Sequence, residues 1–436
     1  MLLIYCENIT PRFKYISRYI LEEICGFEIK ITSDHSEYIS FEGPSLNYSN
    51  RLFNKKEIQI APASFLFENS LNPANPRIEK RDNEIDFYFP ALHSELWVKD
   101  PVAASFFLLS RYEEYFPYSP GKYNSYEAHV SISFLHGILN KPLVNEWAEK
   151  LKRQLIEMFP STPFCPQNFS AIVSIDIDQA FAFQNRGRLR NFLSFFRNIF
   201  FLNGKLLSAQ IKTILFKGQD PYDTYTYLNQ IQSESKLQFL YFVNLGDYSK
   251  FDKNLDTKNH SLKKLLAGIH SYAPVGIHPS FYSNDIPSKF DSEKKALEIM
   301  LGEPVTKSRQ HYLKIMMPDT YHHLLNAGIE EDYSMGYSTR PGFRAGTCTP
   351  FYWFDLSKNE ETKLKVYPVT FMEGTLGEDM KLTPTQGLKL MEDYIDLVKK
   401  YNGTLLCIWH NHSVNDWFFW KGWKKTFEQM IEKIKE

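Results

Sequence analysis

Two carboxylates that could share a cation follow a short apolar run of the sequence. Residues 171–178 read AIVSIDID and end in Asp176 and Asp178. Because alternate residues of a β-strand point to the same side, both carboxylates would emerge together at the carboxyl end of a strand, where α/β folds carry their chemistry. Two like charges so close repel each other, and a bound metal ion would relieve the repulsion. The alternative is an Asp-rich turn in which one carboxylate caps the next segment.

Histidines close several later apolar runs in the same way. His278 closes VGIH, His311 lies in SRQHYL, and His410 and His412 close LLCIWHNH. A single histidine at a strand end serves structure as readily as chemistry. Parallel strands of one barrel, however, bring their carboxyl ends to one rim, where Asp and imidazole ligands with an open coordination position would make a catalytic zinc-type site. A metal there would polarise an acyl carbonyl and lower the pKa of bound water towards about 7.

The elements that must position these residues alternate between strand and helix patterns. After AIVSIDID, the strand-like runs are LQFLYFVN, APVGIH, SRQHYL, GIEEDYS, GFRAG, KVYPVTFME and GTLLCIWH. Strands separated by helix-length segments imply βαβ crossovers and a mainly parallel sheet. Seven or eight such strands favour a closed or nearly closed barrel over an open sheet. The predicted fold class is therefore α/β.

The chain divides into two predicted domains. Residues 1–165 have the pattern of a smaller α/β unit, and the proline-bearing PSTPFCPQNF leads from it into the barrel, residues 166–436. In the first domain Arg111, Glu113 and Glu114 could form a small polar network, but we expect a solvated helix end. We predict no catalytic constellation in the first domain.

Composition and cysteine usage limit the classes of function. The 436 residues include 50 basic and 51 acidic side chains, a net charge of −1, so no global charge favours nucleic acid or anionic membranes. Five cysteines without a CxxC pair indicate free thiols in a reducing compartment. The N-terminus has no signal-peptide pattern, and no apolar run has the length of a membrane span. We therefore expect a cytoplasmic protein.

One basic stretch rich in phenylalanine departs from this picture. Residues 186–207 read RGRLRNFLSFFRNIFFLNGKLL. An interfacial helix in contact with a membrane or a lipid-linked glycan is one interpretation. We expect instead a helix packed on the barrel or on the N-terminal domain.

The order of the motifs resembles that of the polysaccharide deacetylases of carbohydrate esterase family 4. The Asp-x-Asp strand end, GIHPS, GFRAGT and IWH follow one another over about residues 170–415. The earlier ITPRFKY and DPVAASFFLLSRYEEY resemble an uncharacterised domain that accompanies bacterial deacetylase-like modules. The resemblance implies a distorted (β/α) barrel of seven or eight strands and metal-dependent hydrolysis of an N-acetyl group on a sugar, with zinc as the expected divalent ion.

The resemblance also assigns roles to the residues of the first two motifs. Asp176 would be the general base and Asp178 a metal ligand, although the family places its two acids side by side and one residue separates them here. His278 would be the second ligand. Tyr282 stands where the family has its other histidine, so we expect His311 on the next predicted strand to supply the third ligand.

The last two motifs supply the remaining catalytic residues. GFRAGT would make Arg344 the residue that orients Asp176, and IWH would make His410 the general acid that protonates the departing amine. Asp332 and Glu373 also fall near predicted strand ends, where they could orient His410 or a substrate hydroxyl, but we expect both to be structural.

The predicted function is the removal of N-acetyl or related acyl groups from a sugar or a bacterial surface polysaccharide precursor, so that the expected partner is an N-acetylated glycan. Two alternatives stay open. One is a carbohydrate-binding or scaffold protein on a degenerate barrel, which the missing histidine favours, and the other is a metal hydrolase that acts on a non-sugar amide. The sequence gives no oligomeric state.

Overall fold

The first part of the chain contains two small sheets with helices packed against them. The structure, a computed structural model, describes residues 1–74, 76–81, 84–90, 99–201 and 204–436. A parallel sheet has the order β2-β1-β3-β4, and an antiparallel sheet has the order β5-β6-β7. The strands and helices are β1 Leu2–Tyr5, α1 Pro11–Arg18, β2 Ile29–Thr32, α2 His35–Ser40, β3 Ser45–Asn47, β4 Ile58–Gln59, β5 Arg77–Arg81, β6 Glu84–Pro90, β7 Lys99–Asp100, α3 Pro101–Leu109, α4 Ile132–Leu135 and α5 Leu143–Met158.

Helix α3 lies at the centre of the core in this part. The carboxylate of Asp100 begins the helix by accepting hydrogen bonds from the backbone N–H groups of Val102 and Ala103 at 2.9 and 3.0 Å. Pro101 occupies the first turn, where its missing N–H costs nothing. Residues 102–109 are all buried. A helix that is apolar all round is an interior helix, so α3 is surrounded by protein.

The second part of the chain builds a larger sheet with helices between its strands. Its elements are β8 Ser170–Ile177, α6 Arg188–Phe200, α7 Gly204–Leu215, α8 Tyr225–Ser235, β9 Gln238–Asn244, α9 His260–His270, β10 Val275–His278, α10 Pro287–Leu301, β11 Lys307–Ser308, α11 Asp319–Asn326, β12 Glu331–Met335, β13 Phe351–Asp355, β14 Glu360–Pro368, β15 Phe371–Met372, α12 Pro384–Lys400, β16 Thr404–His410 and α13 Trp423–Lys435. Of the helices in the described residues, none is long and apolar enough to cross a membrane.

This sheet is curled like the wall of a barrel. Among the described residues it has nine strands in the order β13-β14-β12-β11-β10-β9-β8-β16-β15, and every pair except β13 with β14 is parallel. Between β14 and β15 the chain passes from one end of this order to the other. The N–H of Val369 donates to Met335 O at 2.8 Å, and the N–H of Thr370 donates to Leu406 O at 2.9 Å. The α/β class and the barrel-like sheet are confirmed.

The alternation of β8 decides which side chains face the inside of the curled sheet. Ile172 belongs to a cluster with Leu240, Phe242 and Leu406, while Val173 and other odd-numbered residues join the core under the helices. Both faces are buried, as expected for parallel strands covered by helices. Asp176 shares the face of Ile172, so β8 presents this carboxylate to the interior.

The predicted strand GFRAG is wrong, because residues 342–346 form turns. Gly342 and Gly346 have φ values of +129° and +68°, which an extended strand does not allow. A Cβ atom would lie 2.5 Å from Leu139 O at the first glycine and 2.8 Å from Leu108 Cδ1 at the second. Both glycines therefore serve the close approach of this turn to the first part of the chain.

The basic stretch 186–207 falls on α6 and the start of α7. Helix α6 contacts the second part of the chain through Arg190, which donates to backbone oxygens of residues 253 and 254. Its apolar side chains do not face this contact, because Leu189, Phe192, Phe196 and Phe200 are exposed. The polar face points inward instead.

A buried ion network joins the two parts of the chain. Arg344 donates two hydrogen bonds to the Glu114 carboxylate, from Nε at 2.9 Å and from Nη2 at 2.7 Å, and Arg111 Nε donates to Glu114 at 2.8 Å. Each of these three side chains is at most 2% exposed. The predicted solvated helix end is therefore wrong. Burial alone raises the pKa of Glu114, but Arg344 and Arg111 hold it below its usual value.

Replacing Glu114 by alanine leaves two buried guanidinium groups without their shared carboxylate. We expect the free energy of unfolding to fall by about 3–5 kcal/mol. Urea denaturation followed by circular dichroism measures the loss. Glu149→Ala is the matched control, because Glu149 pairs with Arg153 on the surface and its removal should cost less than about 1 kcal/mol. Equal losses for both variants would contradict the role given to the network.

Candidate metal centre and catalytic site

The candidate site lies at the carboxyl ends of β8, β10, β11 and β16. Asp176 is the penultimate residue of β8, and Asp178 follows this strand directly. His278 and His410 are the last residues of β10 and β16, and His311 lies in a tight turn three residues after β11. All five side chains line one cavity of 360 Å³. The convergence follows from the parallel sheet, which directs its strand ends to one rim.

The three predicted metal ligands lie close together. Asp178 Oδ1 is 3.2 Å from His278 Nε2, and Asp178 Oδ2 is 3.6 Å from His311 Nε2. The candidate ligand atoms of these three residues all lie within 4.8 Å of one another. His410 Nε2 is also 3.7 Å from Asp178 Oδ2. The arrangement has the composition of a three-residue cation site with a fourth imidazole at its edge.

The hydrogen bonds behind two of these histidines test whether the site fits a cation. His278 Nδ1 lies 2.6 Å from the backbone oxygen of Arg309, and His311 Nδ1 lies 2.8 Å from Asp252 Oδ1. A carbonyl oxygen and a carboxylate only accept, so each Nδ1 carries a proton and each ring directs Nε2 towards Asp178. Asp178 Oδ1 is buried and has no hydrogen-bond donor among the described residues. The residues therefore fit a divalent cation.

The charges of the Asp178 carboxylate and the neighbouring imidazoles shift each other's pKa values. Burial alone raises the pKa of the Asp178 carboxyl, but His311 and His278, followed by His410, hold it well below its usual value. Burial alone lowers the pKa of His311, but Asp178 and Asp252 raise it to about 9. A cation that binds at Nε2 of His311 therefore competes with a proton.

The arginine beside Asp176 is Arg309. Its Nε lies 3.3 Å from Asp176 Oδ1, and its Nη2 donates to Ser174 Oγ at 2.6 Å. The prediction that Arg344 orients Asp176 does not agree with this geometry, because Arg344 is held by Glu114 in the buried network. The signal for Arg309 in the sequence is its place directly after β11, two residues before His311.

A buried glutamate holds His410. Glu373 Oε1 lies 2.8 Å from His410 Nδ1 and accepts the backbone N–H of the same residue at 2.8 Å. Burial alone lowers the pKa of His410, but Glu373, followed by Asp178, raises it to about 10, so the imidazole carries a proton at neutral pH. Of the two roles considered for Glu373, this contact favours the orientation of His410 over a purely structural one. Asp332 does bond within the fold, to Tyr321 and Ser334.

The cavity wall includes a residue from the first part of the chain. Tyr123 stacks on Tyr312 with ring centroids 4.4 Å apart, and Tyr312 stacks on His311 at 4.2 Å. Tyr282, where the resemblance leads us to expect a histidine, is 40% exposed and packs on Phe281. No sequence pattern predicts the place of Tyr123, because it lies far along the chain from every motif.

Comparison with known proteins gives one sequence match. Residues 2–160 match the sequence model of a family described as a "Family of unknown function (DUF7033)". No protein with a curated description matches the chain.

Several solved structures align with the chain at low scores. One, described as "putative polysaccharide deacetylase" from Mycobacterium smegmatis, has a TM-score of 0.41 and 14% identity over 62% of this chain and 84% of that one. A "probable Polysaccharide deacetylase" from Pseudomonas aeruginosa PAO1 has a TM-score of 0.38 and 9% identity, and the alignment covers 61% of this chain and 83% of that one. A GH57 branching enzyme from Thermococcus kodakaraensis has a TM-score of 0.34 and 8% identity, and the alignment covers 62% of this chain and 68% of that one. At these scores the geometry of the site, and not the alignments, indicates the chemistry.

The pKa of His311 makes cation affinity depend on pH. Because its imidazole binds a proton below about pH 9 and the cation must displace it, we expect the apparent affinity for zinc to rise by about tenfold per pH unit from 7 to 9. Competition with a fluorescent chelator at each pH measures the affinity. An affinity that does not change over this range would contradict the assignment of His311 as a ligand.

The partner of His311 should also tune the affinity. Asp252→Asn keeps the size of the side chain but removes the charge that holds the imidazole, so we expect zinc affinity to fall by about 10–100-fold. Asp247→Asn, on a side chain that is 92% exposed, is the control and should leave the affinity unchanged. The same chelator competition compares both variants with the unmodified chain, and an equal affinity for all three would contradict the role of Asp252.

Proposed function

We propose that this chain is a metal-dependent hydrolase that removes N-acetyl groups from a sugar or from a bacterial surface polysaccharide precursor. The observation that carries the proposal is the convergence of Asp178, His278 and His311 beside Asp176 and His410 in one cavity. The order of the motifs along the chain supports the same family of reactions.

Asp178, His278 and His311 would hold the cation, for which zinc is the first choice because carboxylate and imidazole ligands suit it. A divalent cation bound there polarises an acyl carbonyl and makes water a stronger acid. The other groups of the cavity must then move protons and hold the substrate.

Asp176 is the proposed general base. This residue is 2% exposed, so it is shielded from competing solvent, and the Nε atom of Arg309 lies 3.3 Å from its Oδ1. A proton from the attacking water would pass to this carboxylate. The position of Asp176 on the inner face of β8 keeps it at a fixed distance from the ligands.

His410 is the proposed general acid. Its pKa of about 10 keeps a proton on the ring at neutral pH, and Glu373 fixes Nδ1 so that Nε2 faces the cavity. Nε2 would give its proton to the amine nitrogen as the C–N bond breaks. Glu373 acts through His410 and is therefore a positioning residue.

The walls of the cavity support a sugar as substrate. Tyr123, Tyr312 and Trp420 line it. Because Tyr312 is stacked between Tyr123 and His311, the rings of Tyr123 and Trp420 are the ones that could stack on the apolar face of a sugar. The proposed architecture is a distorted (β/α) barrel of seven or eight repeats in residues 166–436, with residues 1–165 as an accessory α/β domain.

The substitution His410→Ala separates binding from turnover. We expect it to keep zinc at full stoichiometry and to lower kcat by about 10²–10⁴-fold, because only the proton donor is lost. Metal analysis and acetate release from oligomers of N-acetylated hexosamine measure the two properties. Turnover that survives this substitution would refute the assignment of His410.

Asp178→Asn is the paired variant and should remove zinc and activity together. An acetylated-lysine peptide in the same assay tests for a hydrolase of non-sugar amides. Zinc bound at full stoichiometry without hydrolysis of any substrate would favour the alternative of a carbohydrate-binding or scaffold protein. Tyr282, at a position where the resemblance predicts a histidine, is the feature that supports this alternative.

A further inference from the structure

Helices α6 and α7 form a hairpin that presents its apolar side chains to solvent. Ten of the 22 exposed large hydrophobic side chains among the described residues fall in the segment 189–216. On α6 they recur at intervals of three and four residues, so they form one stripe along the helix. Its members are Leu189, Phe192, Leu193, Phe196 and Phe200, and we call them the α6 stripe.

The inner side of the hairpin is polar. Asn198 and Gln210 are buried between the two helices, and Asn198 Nδ2 donates to Gln210 Oε1 at 3.0 Å. Gln210 Nε2 donates to the backbone oxygen of Asn191 at 2.8 Å. The usual distribution for a surface helix is apolar inside and polar outside. An exposed apolar face of this kind is typical of a surface that another apolar phase covers.

The hairpin and the residues next to it carry only positive charge. Residues 186–217 contain seven basic side chains and no acidic one, in a chain whose net charge is −1. Arg190 donates to the backbone oxygens of Asn254 and Lys253, and Arg186 donates to the side chain of Gln179, so neither is neutralised by a carboxylate in these contacts. The partner that covers the hairpin must therefore combine an apolar phase with negative charge.

We propose that the α6–α7 hairpin docks this protein onto the surface of an anionic lipid bilayer, with the α6 stripe inserted among the acyl chains and the arginines among the headgroups. The helices have 13 and 12 residues, or about 20 Å each, so they lie in the plane of the interface. This proposal does not depend on the chemistry of the metal centre.

A second cavity beside the hairpin links the docking surface to the candidate site. It has a volume of 750 Å³, and Arg186, Arg190, Arg197 and Lys253 line it. Gln179 and Lys253 line both this cavity and the cavity of the metal centre. Burial, with a contribution from Arg190, lowers the pKa of Arg186 only to about 10, so the guanidinium stays charged at neutral pH. Positive charge thus lies beside the hairpin, where it could contact phosphate headgroups.

Co-sedimentation of the full chain with lipid vesicles tests the proposal. We expect binding to vesicles of phosphatidylcholine with phosphatidylglycerol, weaker binding to phosphatidylcholine alone, and a loss of affinity as salt rises, because the charged contribution is screened. Phe192→Ser, Phe196→Ser and Phe200→Ser combined should weaken binding by about tenfold or more. Vesicles that do not bind the unmodified chain would overturn the proposal.

The matched control replaces three exposed apolar residues elsewhere. Ile39→Ser, Leu52→Ser and Ile299→Ser, at positions 50%, 76% and 71% exposed, should leave vesicle binding unchanged. An equal loss of vesicle binding in the control variant would mean that any exposed apolar residue contributes to binding. That result would refute specific docking through the hairpin.

Two further measurements distinguish lipid docking from self-association of the chain. Hydrogen exchange on the unmodified chain should slow in residues 188–216 when anionic vesicles are added, and this result needs no folded variant. Sedimentation equilibrium without lipid tests for a second copy of the chain on the same surface. A dimer that the α6 variant dissociates, together with unprotected exchange on vesicles, would assign the hairpin to self-association and overturn the proposal.

Discussion

The candidate site depends on the balance of charge around two carboxylates that one strand delivers to the same place. Asp176 faces the interior of the curled sheet, and Asp178 follows at its rim. Neither charge is tolerable there without nearby positive charge, because burying an uncompensated ion costs several kcal/mol. Arg309 stabilises Asp176, while three imidazoles surround Asp178. The carboxylates thus fix which residues can follow at the ends of the neighbouring strands.

Each imidazole is oriented by a different acceptor behind it. The backbone oxygen of Arg309 holds His278, Asp252 holds His311 and Glu373 holds His410. These acceptors come from separate segments, so the three rings keep their directions independently of one another. A site whose supporting hydrogen bonds are in place before the ligand arrives loses little entropy when it binds.

The sequence predicts the positions of residues that follow parallel strands. It does not predict contacts between side chains that are far apart along the chain. Parallel strands bring their ends together, so Asp178 and His311 could be placed at one rim from their positions alone. Arg344 could not, because its partner Glu114 lies 230 residues earlier and no local pattern encodes that contact. Asp252 lies in a loop without periodicity. In α6, periodicity predicts the apolar stripe but not the side that faces the protein, which only the buried amides between the helices determine.

The stacking of Tyr123 on Tyr312 joins segments almost two hundred residues apart in the wall of the candidate cavity. Tyr123 lies within the stretch that matches the family of unknown function, whereas Tyr312 follows the proposed ligand His311. Residues 161–436 without the first part of the chain would keep the proposed cation ligands but lose Tyr123 from the wall of the cavity. Under the proposed function, both regions would therefore determine the choice of substrate, and exchange of the leading region between related chains would alter which molecules fit.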